Sequence, residues 1–278
     1  MPYVASARVT VSLPGGLATE DGRCLRRGRL RSLTGQEEDW LVRNSTAPTA
    51  VAVTKLLSMC LESLDSQPVT AATAGQLLVG DRDFLMLQLR RLTLGDDFLA
   101  VVACPSCGEK MDVGFPAGDV PVESPTEITG TFSLSLTAPG RQRTVRFRLP
   151  TGADQEAILG LQPDQAGSAL LQRCIVDDGG MRLDEQEADL LAEAIERSAP
   201  KVELELDLRC PSCQERFVVP FDTTTFFLQE LRSNDRNLLR EFHSLAFHYH
   251  WSQSEILGLE RERRRAYLSL LADELRQN

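Results

Sequence analysis

The chain has no apolar run long enough to cross a bilayer: stretches such as Phe98 to Ala103 fall far short of the roughly 20 residues a membrane helix needs. Its opening, MPYVASARVT, shows no charged-then-apolar leader, so the protein reads as cytoplasmic when made. Basic residues are in the minority, 30 Lys and Arg against 40 Asp and Glu, for a formal charge of −10. Residues 1 to 45 carry seven Arg against five acids, residues 46 to 223 carry 15 basic groups against 27 acidic, and residues 224 to 278 carry eight of each. Nucleic-acid binders need a basic face, so no nucleic acid is expected as partner, nor a membrane.

Catalytic signatures are also missing. Neither the G-x-x-x-x-G-K-[ST] phosphate loop nor the G-x-S-x-G elbow occurs, and no carboxylate pair stands in an acid/base arrangement. We therefore expect no enzyme and no small-molecule substrate. Histidine is scarce: His243, His248 and His250 are the three, and none of their spacings is the i,i+3 or i,i+4 of helical neighbours. Packing and helix-end hydrogen bonding are the expected roles. The acids of DEQEADLLAEAIERSA are spread around their helix and read as a solvated face.

What the chain does have is seven cysteines, four of them in two copies of CPSC. Cys104-Pro105-Ser106-Cys107 lies in FLAVVACPSCGEKMDVGF and Cys210-Pro211-Ser212-Cys213 in LELDLRCPSCQERFVVPF, with 102 residues between Cys107 and Cys210. A constant offset of 106 pairs Ala100 with Leu206, Val102 with Leu208, Val113 with Val219 and Phe115 with Phe221. Both flanks alternate as strands with one buried face, so each copy predicts strand, knuckle, strand. Two knuckles supply the four sulfurs that tetrahedral zinc prefers. The expected site is a structural Zn2+ held by Cys104, Cys107, Cys210 and Cys213, a zinc ribbon whose metal clamps everything inserted between the knuckles. Two alternatives stay open: a thiol-redox CxxC enzyme, although strand-like sequence rather than a helix follows each motif, and a ribbon regulator associated with nucleic acid. Cys24, Cys60 and Cys174 read as small hydrophobes.

The fold class expected is α+β: a four-cysteine ribbon on short β-strands with a helical insert and a helical C-terminal region. Residues 1–45 read as a β-strand region ending a first strand at Pro14-Gly15-Gly16 and continuing through a second strand and a solvated loop. Residues 46–97 read as helical, with TAPTAVAVTKLLSMCLESL carrying Val53, Leu56, Leu57, Cys60, Leu61 and Leu64 at helical spacing, Asp81 as the N-cap of the next helix, and a turn at Gly95-Asp96-Asp97. Residues 98–223 are the split ribbon. Its insert (126–200) opens with a hairpin, TFSLSLT and RTVRFRL, turning through Ala138-Pro139-Gly140-Arg141-Gln142, followed by three helices. Residues 224–278 read as helical to the end, with Ser252 and Glu255 forming a capping box that starts a helix after Trp251. The Arg261, Arg263, Arg264, Arg265 run is offset by Glu260 and Glu262 and reads as a helix surface open to a protein contact.

Two blocks carry a resemblance. LLVGDRDFLMLQLRRLTLGDDFLAVVACPSCGEKMDV and LLREFHSLAFHYHWSQSEILGLERERRRAYLSLL resemble base-plate hub and tail-assembly proteins of contractile phage tails of the T4 type and of phage-tail-like contractile injection systems. The resemblance implies a non-enzymatic assembly factor or structural component whose partners are base-plate, hub or tube proteins of a tail-like particle. It makes Gly80-Asp81-Arg82-Asp83 and Gly95-Asp96 signatures at helix boundaries, acting as turns and caps. It also implies a partner-facing or helix-turn element at Tyr249, His250, Trp251 and Ser252, to which Arg261, Arg264 and Arg265 add candidate partner contacts.

Overall fold

A computed structural model describes residues 8–19, 21–125, 130–138, 141–177, 183–233 and 235–277. The chain begins with two antiparallel strands, β1 (Arg8–Ala18) and β2 (Cys24–Arg31). Pro14-Gly15-Gly16, expected as a turn, is instead a bulge inside β1. The register shifts between Ser12 and Leu17, Gly16 takes φ +86°, and Leu17 and Ala18 pair onward with Leu25 and Cys24. The actual turn comes at Asp21-Gly22, with the Thr19 N–H on the Arg23 carbonyl at 2.9 Å.

A helix follows where a solvated loop was expected: α1 (Gly35–Arg43), opened by a capping box between Thr34 and Glu37. The long helical run from Thr46 is cut short. α2 (Thr49–Cys60) buries Val53, Leu56, Leu57 and Cys60, after which Leu61–Leu64 becomes β3, paired with β2. Leu61 and Leu64 are buried in that strand, and their spacing of three fits a helix face equally well, so periodicity alone misplaced them. Asp65 and Ser66, both at positive φ, turn the chain into β4 (Gln67–Pro68), which completes a sheet of order β1-β2-β3-β4.

Next come α3 (Ala71–Gln76) and α4 (Val79–Leu94), then the first cysteine hairpin, β5 (Asp97–Ala103) and β6 (Lys110–Pro116). After a single 3-10 turn, β7 (Val122–Glu123) pairs with the distant β11 (Lys201–Val202) and closes the base of the insert. The insert holds the expected hairpin, β8 (Phe132–Ala138) and β9 (Arg141–Phe147), whose tip Pro139-Gly140 lies outside the described residues. It continues with α5 (Gly152–Ala157), α6 (Pro163–Cys174), the short β10 (Ile175–Asp177) against β9, and α7 (Glu185–Ser198). Ile175 and Val176, expected at the end of a helix, form that strand instead. The second cysteine hairpin is β12 (Leu204–Arg209) and β13 (Arg216–Phe221). Four helices end the chain: α8 (Thr223–Arg232), α9 (Asp235–Tyr249), α10 (Gln253–Leu257) and α11 (Arg261–Gln277). The capping box of Ser252 and Glu255 opens α10 as the sequence predicts.

Apolar burial forms three clusters. The largest sits between the four-stranded sheet and α2, α3, α4 and α8. A second fills the insert between its hairpin, α6 and α7. A third, built on Leu87, Phe98, Ala117 and Val120 with Phe115, Phe221 and Phe226, lies under the two cysteine hairpins.

The first turn of α4 joins these parts. Successive helical residues point about 100° apart, so four in a row address four directions. Gly80 lies against the Pro200 carbonyl, where a Cβ would approach to 1.9 Å. Asp81 accepts the N–H groups of Gly15 and Gly16 at 2.8 and 2.7 Å, satisfying donors that the bulge leaves unpaired. Arg82 donates to Thr54 Oγ1 at 2.8 Å and to the carbonyls of Ala50 and Ala74, holding α2 and α3. Asp83 accepts from Thr224 Oγ1 of α8 at 2.9 Å. The expected N-cap role of Asp81 is thereby corrected: Leu78 is the cap residue, and Asp81 spends its oxygens on β1. Likewise this four-residue block is a junction and not a turn.

Candidate metal centre

Each knuckle is built the same way from local backbone bonds. In the first, the Cys104 N–H donates to the Glu109 carbonyl at 2.8 Å and the Gly108 N–H to the Cys104 carbonyl at 2.9 Å. In the second, Cys210 donates to Glu215 at 2.9 Å and Gln214 to Cys210 at 3.0 Å. Gly108 and Gln214 are equivalent under the offset of 106, and both are left-handed, at φ +75° and +64°. A glycine takes that conformation freely, whereas glutamine is strained there; Gln214 adds a side-chain bond to the Pro211 carbonyl at 2.9 Å.

The hairpins meet so that all four sulfurs lie within 4.8 Å of one another. Cys104 Sγ is 3.7 Å from Cys213 Sγ, and Cys107 Sγ is 3.6 Å from Cys210 Sγ. A tetrahedron with metal–sulfur bonds of about 2.3 Å has edges of about 3.8 Å, so the arrangement fits a four-thiolate metal ion. Cys104 and Cys210 are buried and Cys107 and Cys213 exposed, and none of the seven cysteines is in a disulfide. The N–H groups of Cys213 and Ser212 lower the Cys210 thiol to about 7, while contact with neighbouring sulfurs helps raise Cys107 and Cys213, so the four thiols titrate as one cluster. Among the described residues these four cysteines are the one group of three or more candidate metal ligands. They could hold a metal ion, with every coordination position filled by sulfur.

An aromatic base fixes the two hairpins to each other. Phe98 stacks on Phe115 with centroids 4.9 Å apart, and Phe221, the offset partner of Phe115, meets it edge-on at 5.1 Å. Phe226 of α8 closes the group at 5.0 Å from Phe221. The Arg90 guanidinium sits 4.0 Å over the Phe98 ring, donates to the carbonyls of Gly95 and Asp97, and pairs with Glu230 of α8. Arg90 was not legible in the sequence, because Phe98 and Glu230 both lie outside the helix that carries it.

The partner-facing candidates separate into three kinds. Tyr249 stacks on Trp251 at 5.0 Å, and Tyr267 of α11 meets both edge-on, so these half-buried rings join α9 to α11. His250 is exposed and ends α9 at φ +57°, its N–H on the Ala246 carbonyl at 3.0 Å. Arg265 is exposed. Arg261 and Arg264, read as partner contacts on a helix surface, are corrected: both are buried, Arg264 completely. Glu38 of α1 takes both, at 3.0 Å from Arg261 and 2.9 Å from Arg264, and Glu241 of α9 takes Arg264 at 2.8 Å. Two carboxylates from elsewhere in the chain turn these arginines inward. The expected solvated face of α7 also has an exception, since Glu187 pairs with Arg143 of β9. His243 and His248 are exposed and flank the Phe247 ring.

No described helix is long and apolar enough to cross a membrane. Comparison with curated proteins and with solved structures finds no match. A family model described as T4 bacteriophage base plate protein does match, over residues 22–228, which takes in both cysteine hairpins and the α4 junction and leaves α9 to α11 outside. That match spans most of the chain, and the chain belongs to the T4 bacteriophage base plate protein family.

Proposed function

We propose that the protein is a non-enzymatic component or assembly factor of the base plate or hub of a contractile, phage-tail-like particle, with a structural zinc held by Cys104, Cys107, Cys210 and Cys213. The observation that carries the reading is the family match over residues 22–228. The four-sulfur cluster supports a structural over a catalytic role for the ion, because a catalytic site keeps a position open for water or substrate and four thiolates leave none. It also supports a split-ribbon unit over residues 98–223, since the metal would close the chain across the 102 residues between Cys107 and Cys210. The partners are base-plate, hub or tube proteins, and Tyr249, His250, Trp251 and Arg265 remain candidate contacts on the C-terminal helices.

The test is to express the surrounding tail genes with this chain tagged and to analyse finished particles and soluble complexes separately by mass spectrometry. Fixed stoichiometry in particles identifies a structural component. Recovery only with unassembled hub or tube subunits identifies an assembly factor, and recovery with neither contradicts the proposal.

A further inference from the structure

Among the described residues, none covers one face of the α9 helix. Leu239, His243 and Phe247 follow at i, i+4 and i+8, and Leu239 and Phe247 are 65% and 66% exposed. Beside this ridge runs a groove of about 340 Å³ between α9 and α11, lined in part by Arg240, Ser244 and Arg265. Glu241, the one acid of the groove, is turned inward to Arg264. The face is therefore an apolar ridge with a cationic border. Single exposed apolar residues are ordinary on a protein surface, but a helical ridge of them beside two arginines is a recognition pattern.

The opposite pattern occurs on α7. Its inner face buries Leu191, Ala194 and Ile195, and its outer face shows Leu190, 49% exposed, with the exposed acids Asp189 and Glu193 to one side of it and the exposed Arg197 one turn beyond Glu193. Asp184 and Glu187 are engaged locally, in the cap and with Arg143, which leaves Asp189 and Glu193 facing outward. We propose that α7 of one copy of this chain docks on the α9 face of a second copy, Leu190 on the Leu239–Phe247 ridge and Asp189 and Glu193 toward Arg240 and Arg265. Two different patches meet, so the contact is isologous where it closes reciprocally in a pair and heterologous where it runs on around a ring. It rests on neither the metal nor the tail assignment.

Sedimentation velocity on the purified full chain across the micromolar range tests this. Association above the 30.8 kDa monomer is expected. Arg240→Glu and Glu193→Arg should each weaken it about tenfold, and the two together should restore it, because each reversal leaves like charges facing and the pair re-creates complementarity. Both positions are exposed, and circular dichroism of the single variants should be unchanged. A chain that stays monomeric throughout overturns the proposal. So does association that is undiminished in each single reversal, or a double variant no better than the singles; in those cases the α9 face is bare or covered by a different subunit.

Discussion

Gly80 has almost no room to change. The Pro200 carbonyl lies 1.9 Å from where a Cβ would stand, and that oxygen is backbone held at the base of the insert. Gly80→Ala should cost more than about 3 kcal/mol, the scale of severe overpacking, and thermal unfolding will show it. Gln214 offers the reverse. It holds the left-handed position that Gly108 fills in the other knuckle, so Gln214→Gly should raise stability by up to about 1 kcal/mol in denaturant titration. The two junction acids predict a pH dependence. Burial pushes Asp81 and Asp83 up to about 6 from an ordinary 3.8. Between pH about 4 and about 6 the folded state thus holds protons that the unfolded chain has released, so their contribution to stability falls as pH rises through that window. Asp83→Asn keeps an acceptor for Thr224 and removes the titration, which should flatten the decline by on the order of 2 kcal/mol in unfolding curves at several pH values. Asp154 runs oppositely. Burial alone would raise it, but bonds from Arg148 and Thr151 hold it well below the carboxylate range, so its contribution is present above the ordinary carboxylate pKa and lost as pH falls below it.

At the scale of elements, buried Glu38 ties α11 to α1, with Glu241 of α9 sharing Arg264. Glu38→Gln leaves Arg261 and Arg264 in the interior without their shared anion, at a cost of about 3 to 5 kcal/mol. The expected result is proteolytic cleavage within α10 and α11 under conditions that leave the hairpin core intact. This network also marks where the sequence stops being readable. The knuckle hairpins were legible because CPSC repeats with alternating flanks, and Ser252 was legible because a capping box is a local pattern. The α1 helix carries the same kind of local signal in Thr34 and Glu37, next to an arginine-rich stretch whose charge masks it. Arg261 and Arg264 were not legible at all: their burial depends on Glu38, more than two hundred residues away, so a charged run looked like surface. The α4 junction was misread for the same reason. Asp81 has the chemistry of a cap, and only the distant bulge of β1 shows where its oxygens go.

On the scale of the whole molecule, the cysteine cluster brings together two hairpins separated by the entire insert, and α8 packs its Phe226 beneath them. Metal binding in such a site is coupled to folding, so Cys210→Ser should yield aggregated or unfolded chain instead of a folded protein lacking only the ion. The measurement that bears most directly on this account is the zinc content of the purified full-length chain by inductively coupled plasma mass spectrometry, with thiol titration alongside. We predict one zinc per chain, with the knuckle thiols protected until a chelator removes the metal and the tertiary structure with it. A folded chain without stoichiometric zinc, with Cys104, Cys107, Cys210 and Cys213 all freely reactive, would contradict the account.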